Sequence, residues 1–216
     1  MGIVETIALT MGVGWASGIN LYAAVFMLGV LSVTDNIVLP EQLAILSDPL
    51  VIAAAGFMYV VEFVADKTPG VDTGWDAIHT FIRIPAGAVL AAGAVGDLGP
   101  GAEVAAALVG GTLAAGSHAT KAGTRALINT SPEPFTNWTA SVAEDVMVLG
   151  GVWAALHHPV AFLVFLAGFV ALAVWLLPKI WRGLRGIVAW VRRRLGGAPE
   201  PTAAEMPRDP RIEELL

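Results

Sequence analysis

The sequence predicts an all-α integral membrane protein of about six transmembrane helices, and three observations predict it. Of its 216 residues, 56% are hydrophobic and only 14% are charged, against about 25% charged in an ordinary soluble domain. A mean hydropathy of +0.72 is incompatible with a surface facing water, which is largely polar at its rim. Charges also divide the chain into long neutral runs: 29 residues between Glu5 and Asp35, 17 between Glu103 and Lys121, and 33 between Asp145 and Lys179. A helix needs about 20 mostly apolar residues to cross the hydrocarbon core.

Taken in order, the expected spans are 5–33, 49–66, 84–100, 102–122, 138–156 and 160–178. The first run lacks a basic leader and a cleavage site, so it reads as a retained helix and not a signal peptide. It is too long for one straight span, with Ser17-Gly18-Ile19-Asn20 near its middle. The second and third spans reach length only by including Glu62 or Leu98 to Pro100. The last neutral run holds two passes, because His157-His158-Pro159 reads as a turn. Residues 1–178 thus form the transmembrane domain. Beyond it, Trp181, Leu184, Val188, Val191 and Leu195 share one helical face while Arg182, Arg185 and Arg192 to Arg194 lie mostly elsewhere. Residues 179–195 are expected to form a basic interfacial helix whose Arg182 to Arg194 segment meets anionic lipid. The Pro-rich stretch 196–216 is expected to be a disordered tail.

All twelve Lys and Arg residues fall on one side of this six-span arrangement: Lys67 and Arg83 after the second span, Lys121 and Arg125 around the loop after the fourth, the rest after the sixth. Cytoplasmic loops carry the basic excess, so both termini are expected in the cytoplasm and the protein in the cell's inner membrane. A formal charge of -6 leaves no basic surface for nucleic acid. The absence of cysteine removes disulfides, thiolate metal sites and cysteine nucleophiles. No cofactor is expected.

An internal repeat is also expected. GWASGINLYAA in the first span and TLAAGSHATKA in the fourth align Ala16 with Ala114, Gly18 with Gly116, Asn20 with His118 and Ala24 with Ala122. Each segment opens a set of three spans, 5–100 and 102–178, and an odd number of spans gives two halves of opposite orientation. Inverted repeats of this kind place substrate sites at helix interruptions near the midplane. Close packing through small residues accounts for the same pattern.

Two stretches hold most of the unusual chemistry, residues 61–88 and 116–146. Glu62 and Asp66 share a helix face near the inner end of the second span, followed by Lys67. His118, Lys121 and Arg125 reach similar depth on the fourth, and Glu144 and Asp145 on the fifth. Charges in the inner third of a bilayer are costly against lipid, so these groups are expected to face each other or a water-filled cavity. Together with Asn20 they form the candidate substrate or ion pocket, with a buried ion-pair cluster that fixes helix register as the alternative. Asp72, Asp76, His79 and Arg83 recur at about four-residue spacing, which suits a short amphipathic helix at the interface. Asp72, Asp76 and His79 are the candidate ligands for a hard divalent cation. Asn129-Thr-Ser and Asn137-Trp-Thr fit the glycosylation pattern but lie on the expected cytoplasmic side.

Three segments, ASGIN at 16–20, the spaced run from Ala65-Asp66-Lys67 through Trp75-Asp76, His79 and Ile82-Arg83 to Gly87, and Ser117-His118-Ala119-Thr120-Lys121 with Arg125 and Asn129, resemble the membrane-protein family catalogued as domain of unknown function 4126. The resemblance covers about residues 10–158 and implies a compact helical membrane fold without an assigned activity. The segment Glu62-Phe-Val-Ala-Asp66-Lys67-Thr68 is also similar to cation/proton exchangers carrying Glu-x-Gly-Asp-Lys-Ser/Thr, with one extra residue and Ala65 in place of the glycine. Asp72-x-x-x-Asp76 is faintly similar to intramembrane prenyl or phosphoalcohol transferases, whose further aspartates are missing. Ser117 and His118 point about 100° apart on a helix, so no catalytic triad forms and no enzyme is expected. The leading expectation is a small transporter or permease for an ion, small solute or lipid headgroup, with Glu62 or Glu144 carrying a coupled proton. A membrane scaffold and a divalent cation/proton exchanger are the alternatives.

Overall fold

Prolines mark most of the helix starts. Pro49, Pro100, Pro134 and Pro159 each open a helix, at the position where a missing N–H removes no intrahelical bond. Before Pro49, the Asp48 carboxylate accepts from the Leu50 N–H at 2.7 Å and caps the helix. A computed structural model describes residues 2–68, 70–96, 98–130 and 134–195. It contains α1 (Ile3–Val33), a short 3-10 helix (Glu41–Ser47), α2 (Pro49–Ala65), α3 (Val71–Ala94), α4 (Pro100–Ile128), α5 (Pro134–His157) and α6 (Pro159–Leu195). Among the described residues there is no strand.

The distribution of side chains is inverted relative to a protein in water. Glu62, Asp66, Asp72, Asp76, Arg83, Lys121, Arg125 and Asp145 are buried, while Phe57, Phe81, Val89, Leu108, Phe135, Val164 and Trp175 are exposed. Such a surface is stable only against hydrocarbon. Four helices, α1, α3, α5 and α6, are long and apolar enough to cross a membrane, and the 3-10 helix with α2, bent by 67°, makes a fifth candidate. The protein is therefore an α-helical membrane protein. At 29 residues α4 is long enough but falls short in apolarity, because its middle is rich in Ala, Gly, Ser and Thr. Those small side chains suit its position, packed against α1, α3 and α6.

Two elements differ from expectation. The Asp72 to Arg83 stretch is no interfacial helix in a loop: it is the first half of α3, and it turns Asp72, Asp76, His79, Arg83 and Gly87 into the bundle while Ile78, Phe81, Ile82 and Val89 face out. The four-residue spacing marks an amphipathic helix whose polar face lies inside. The basic segment after Pro178 is the continuation of α6, which runs unbroken for 37 residues. At about 1.5 Å per residue it exceeds the ~30 Å hydrocarbon core by nearly a factor of two. The expected tail, 196–216, lies outside the described residues.

The two halves do not pack alike. α1 is central, touching α2 to α6, and it breaks at Asn20, whose φ and ψ are -147° and 92°. The aligned His118 sits within an unbroken helix, and α1 packs along α2 far more extensively than α4 along α5. Small residues draw α1, α3 and α4 together: a Cβ on Gly14 would lie 2.6 Å from Gly110 Cα, and one on Gly18 would overlap Ser117 Oγ and the Ala114 carbonyl. On its opposite flank α1 inserts Trp15 among Phe162, Phe165 and Phe169 of α6, with edge-on ring centroids 5.9, 5.4 and 5.7 Å away.

Candidate functional site

The break in α1 leaves backbone groups without helical partners, and side chains from the neighbouring helices fill them. Asn20 caps the second half of the helix, its Oδ1 accepting from Ala23 N–H at 2.9 Å. Carbonyls at the end of the first half accept from Ser117 Oγ to Trp15 at 2.9 Å, from Arg83 Nη1 to Gly18 at 3.5 Å and from Lys121 Nζ to Ile19 at 3.1 Å. Both cations therefore stand at the negative end of a half-helix, where its dipole favours them. The amide of Asn20 donates to Asp145 Oδ1 at 3.0 Å.

From that point an ion network spreads across α2 to α5. Arg83 donates to Glu62 Oε1 at 2.6 Å and to Asp76 Oδ1 at 3.1 Å. Lys121 lies 2.6 Å from Asp66 Oδ2, 3.4 Å from Glu62 Oε1 and 3.7 Å from Glu144 Oε2. Arg125 grips Glu144 through two parallel bonds, Nε to Oε1 at 3.1 Å and Nη2 to Oε2 at 2.7 Å. Its Nη1 donates to the Asp66 carbonyl at 3.0 Å and to both the backbone carbonyl and Oδ1 of Asn137. His118 Nδ1 faces the Arg83 guanidinium at 3.3 Å and must accept, so Nε2–H donates to Thr80 Oγ1 at 2.8 Å and the ring is neutral in this arrangement.

At the cytoplasmic-side end of the expected topology, Asp72 receives Asn129 Nδ2 on both oxygens at 2.8 and 2.9 Å, Asn137 Nδ2 at 3.2 Å, and the backbone N–H groups of Gly70 and Thr73 at 2.9 and 2.6 Å. Gly70 precedes α3 with φ of 86°, a left-handed conformation that favours glycine. Lys67 lies just past α2 with Nζ 2.9 Å from the Phe63 ring centroid, bonded to the Phe63 carbonyl and to Ser141 Oγ, both at 3.2 Å. Burial draws its pKa below the ordinary lysine value, and the attraction of Asp145 and Asp66 opposes this.

Asn20, Glu62, Asp66, His118, Lys121, Arg125, Glu144 and Asp145 are thus brought into one connected layer, with Lys67 at its edge. Asp72, Asp76 and His79 are not gathered around a common point: Asp72 turns to amides, Asp76 to Arg83, and His79 to Tyr22 Oη at 3.1 Å and the Trp75 carbonyl at 2.9 Å. Among the described residues no group of three His, Asp or Glu side chains is placed to hold a metal. Sequence reasoning missed Arg83 and Asn137. Arg83 was counted as a loop cation although it continues the Asp72–Asp76–His79 stripe, and Asn137, read only as a glycosylation pattern, is buried against Arg125.

Pairing in the network is uneven. Glu62 Oε2, Asp66 Oδ1, Asp76 Oδ2 and Asp145 Oδ2 are buried without a hydrogen-bond partner, although buried carboxylate oxygens ordinarily have one. A cleft of about 160 Å³ between α1, α4, α5 and α6 reaches the layer, lined by Ile19, Thr120, Lys121, Glu144, Met147 and Phe169. Of the two network members that line it, Glu144 is the more exposed, with 14% of its side chain accessible against 2% for Lys121.

The profile of the family described as "Domain of unknown function (DUF4126)" matches residues 7–179, which takes in the whole ion network. No curated protein and no solved structure matches the chain.

Proposed function

The chain belongs to the family described as domain of unknown function 4126, so its activity is read from its own side chains, and we propose that it is a small transporter or permease with the buried ion network as its working site. The observation that carries this reading is the break of α1 at Asn20 against a carboxylate-rich layer. Discontinuous helices whose freed backbone groups line a polar site are the means by which transporters hold ions and small solutes in the membrane interior. The cleft bordered by Lys121 and Glu144 adjoins that layer.

The reading counts six crossings: the four apolar helices, the bent pair of 3-10 helix and α2, and α4 screened by its neighbours. Arg83, Lys121 and Arg125 are buried in the network, so the orientation rests chiefly on the exposed Lys179, Arg182, Arg185 and Arg192 to Arg194 of α6. These support a reading in which both ends lie in the cytoplasm of an inner-membrane protein. The same residues meet anionic lipid headgroups, with Trp175, Trp181 and Trp190 stacked beneath Lys179, Arg185 and Arg194. A divalent cation/proton exchange is less well supported, since Asp66 and Glu144 are taken up by Lys121 and Arg125.

Purified protein in vesicles that trap a pH indicator tests the proposal, with divalent cations, organic anions and phosphorylated headgroups offered in turn. One class is expected to drive an internal pH change that Glu62→Gln abolishes in folded protein. An unchanged pH with every class, in correctly inserted protein, assigns the network to a membrane scaffold.

A further inference from the structure

Among the described residues, four carboxylates of the ion network are held by cations and Asp145 is not. Glu62 and Asp76 lie on Arg83, Asp66 on Lys121 and Glu144 on Arg125. Asp145 is 7% exposed and, among the described residues, has no cation within 4.0 Å. Asp72 also lacks a cation, but amide donors fill both its oxygens. Among the described residues Asp145 has a single hydrogen bond, from Asn20 at the helix break, and its Oδ2 has none.

We propose that Asp145 is the group of this network that takes up and releases a proton, with Asn20 holding its other oxygen at the break in α1. The purpose assigned to the proton rests on the transport reading above; the protonation itself does not. A hydronium ion from the water at the membrane surface gives its proton to Oδ2 and leaves as water, and the reverse step restores the carboxylate. Oδ1 accepts from Asn20 in both states.

Charge balance within the layer supports the assignment. With Asp145 protonated, the four carboxylates Glu62, Asp66, Asp76 and Glu144 are matched in number by Arg83, Lys121 and Arg125, with which they pair, and by Lys67 at the edge of the layer. Ionised Asp145 adds a negative charge without a partner in a region of low dielectric, where such a charge is costly. The groups around it are few. α2 presents Tyr59, Glu62 and Asp66, with Lys67 just beyond; α4 presents Lys121; α1 presents the neutral Asn20; and α6 carries no charge between Pro159 and Pro178. Lys67 bonds Ser141, one helical turn from Asp145 on the same face of α5, and neither it nor Lys121 forms an ion pair with Asp145 among the described residues.

Infrared difference spectroscopy of the reconstituted protein between acid and alkaline pH reads the protonation directly. A protonated-carboxyl band is expected at the acid end, shifted when aspartate carboxyl carbons alone are isotope-labelled, lost in Asp145→Asn and displaced in frequency in Asn20→Ala. The label identifies an aspartate without any substitution, so a variant that fails to fold does not decide the result. A band that ignores the aspartate label, persists in folded Asp145→Asn, or is removed by sodium at fixed pH overturns the proposal. A titrating Asp145 in vesicles that carry no flux supports it and removes the transport reading; flux with no titrating aspartate does the reverse.

Discussion

Lys121 Nζ sits 2.6 Å from Asp66 Oδ2 and 3.1 Å from the Ile19 carbonyl, so one ammonium group both neutralises a buried carboxylate of the α2 end and closes the first half of broken α1. Charge pairing and backbone satisfaction are therefore one structural problem here. Removing a partner from a buried ion pair leaves an uncompensated charge and costs about 3–5 kcal/mol.

Lys121→Met is expected to lose stability of that order, because Asp66 and the Ile19 carbonyl are both stranded. Asp66→Asn in the same background should recover part of the loss and leave the carbonyl's share. Thermal unfolding in detergent of the two single variants and the double variant measures the coupling. Strictly additive effects would mean that the two groups do not interact.

Gly18→Ala should separate α1 from α4. Its Cβ meets the Ala114 carbonyl, which is backbone and cannot rotate away, and overpacking of this kind costs about 1–3 kcal/mol. Gly168→Ala on α6 is the control, since nothing lies within 4 Å of its Cβ position and alanine favours the helix by about 0.5–1 kcal/mol. Opposite signs in the same unfolding assay are expected. Equal effects would remove the close-approach argument.

Much of this architecture was legible before the fold was known. Charge-free runs and prolines located the helices, because hydrocarbon tolerates few other sequences of that length. The interruption at Asn20 was legible as well, since 29 neutral residues exceed one straight span. What failed was the direction of a polar face. The Asp72–Asp76–His79–Arg83 stripe has helical spacing, and spacing alone does not say whether water or the bundle interior receives it. Assigned to water, it delayed α3 by thirteen residues and turned Arg83 into a loop charge. The same ambiguity hid the difference between Glu144 and Asp145, adjacent in sequence, of which one has the Arg125 fork and the other only an asparagine.

The Asn20–Asp145 contact joins a helix cap to an unpaired carboxyl group. Asn20→Ala removes the cap, worth about 0.5–2 kcal/mol, and the one bond that Asp145 has. Asn20→Asp keeps a capping oxygen for Ala23 but replaces the amide donor with a second carboxyl, and is expected to be at least as harmful. Exchanging the pair, Asn20→Asp with Asp145→Asn, restores one donor and one acceptor across the contact and should return most of the stability. If the exchange is no better than Asn20→Asp alone, the contact does not hold the break.

Orientation is the last expectation, and cysteine labelling decides it against a chain with no native cysteine. Asp72 is fully buried and reports nothing, so probes belong on exposed positions: Gly74, Thr130 and Arg192 on one side, Val38 and Leu98 on the other. Cysteines at Val38 and Leu98 should react with an impermeant reagent added to intact cells, and those at Gly74, Thr130 and Arg192 only after the membrane is opened. The pair Leu98 and Thr130 brackets α4, the helix whose small-residue composition leaves it short of a self-evident span. Labelling of both from the same face would mean that α4 does not cross, and the basic end of α6 would then lie on the side opposite to the N-terminus.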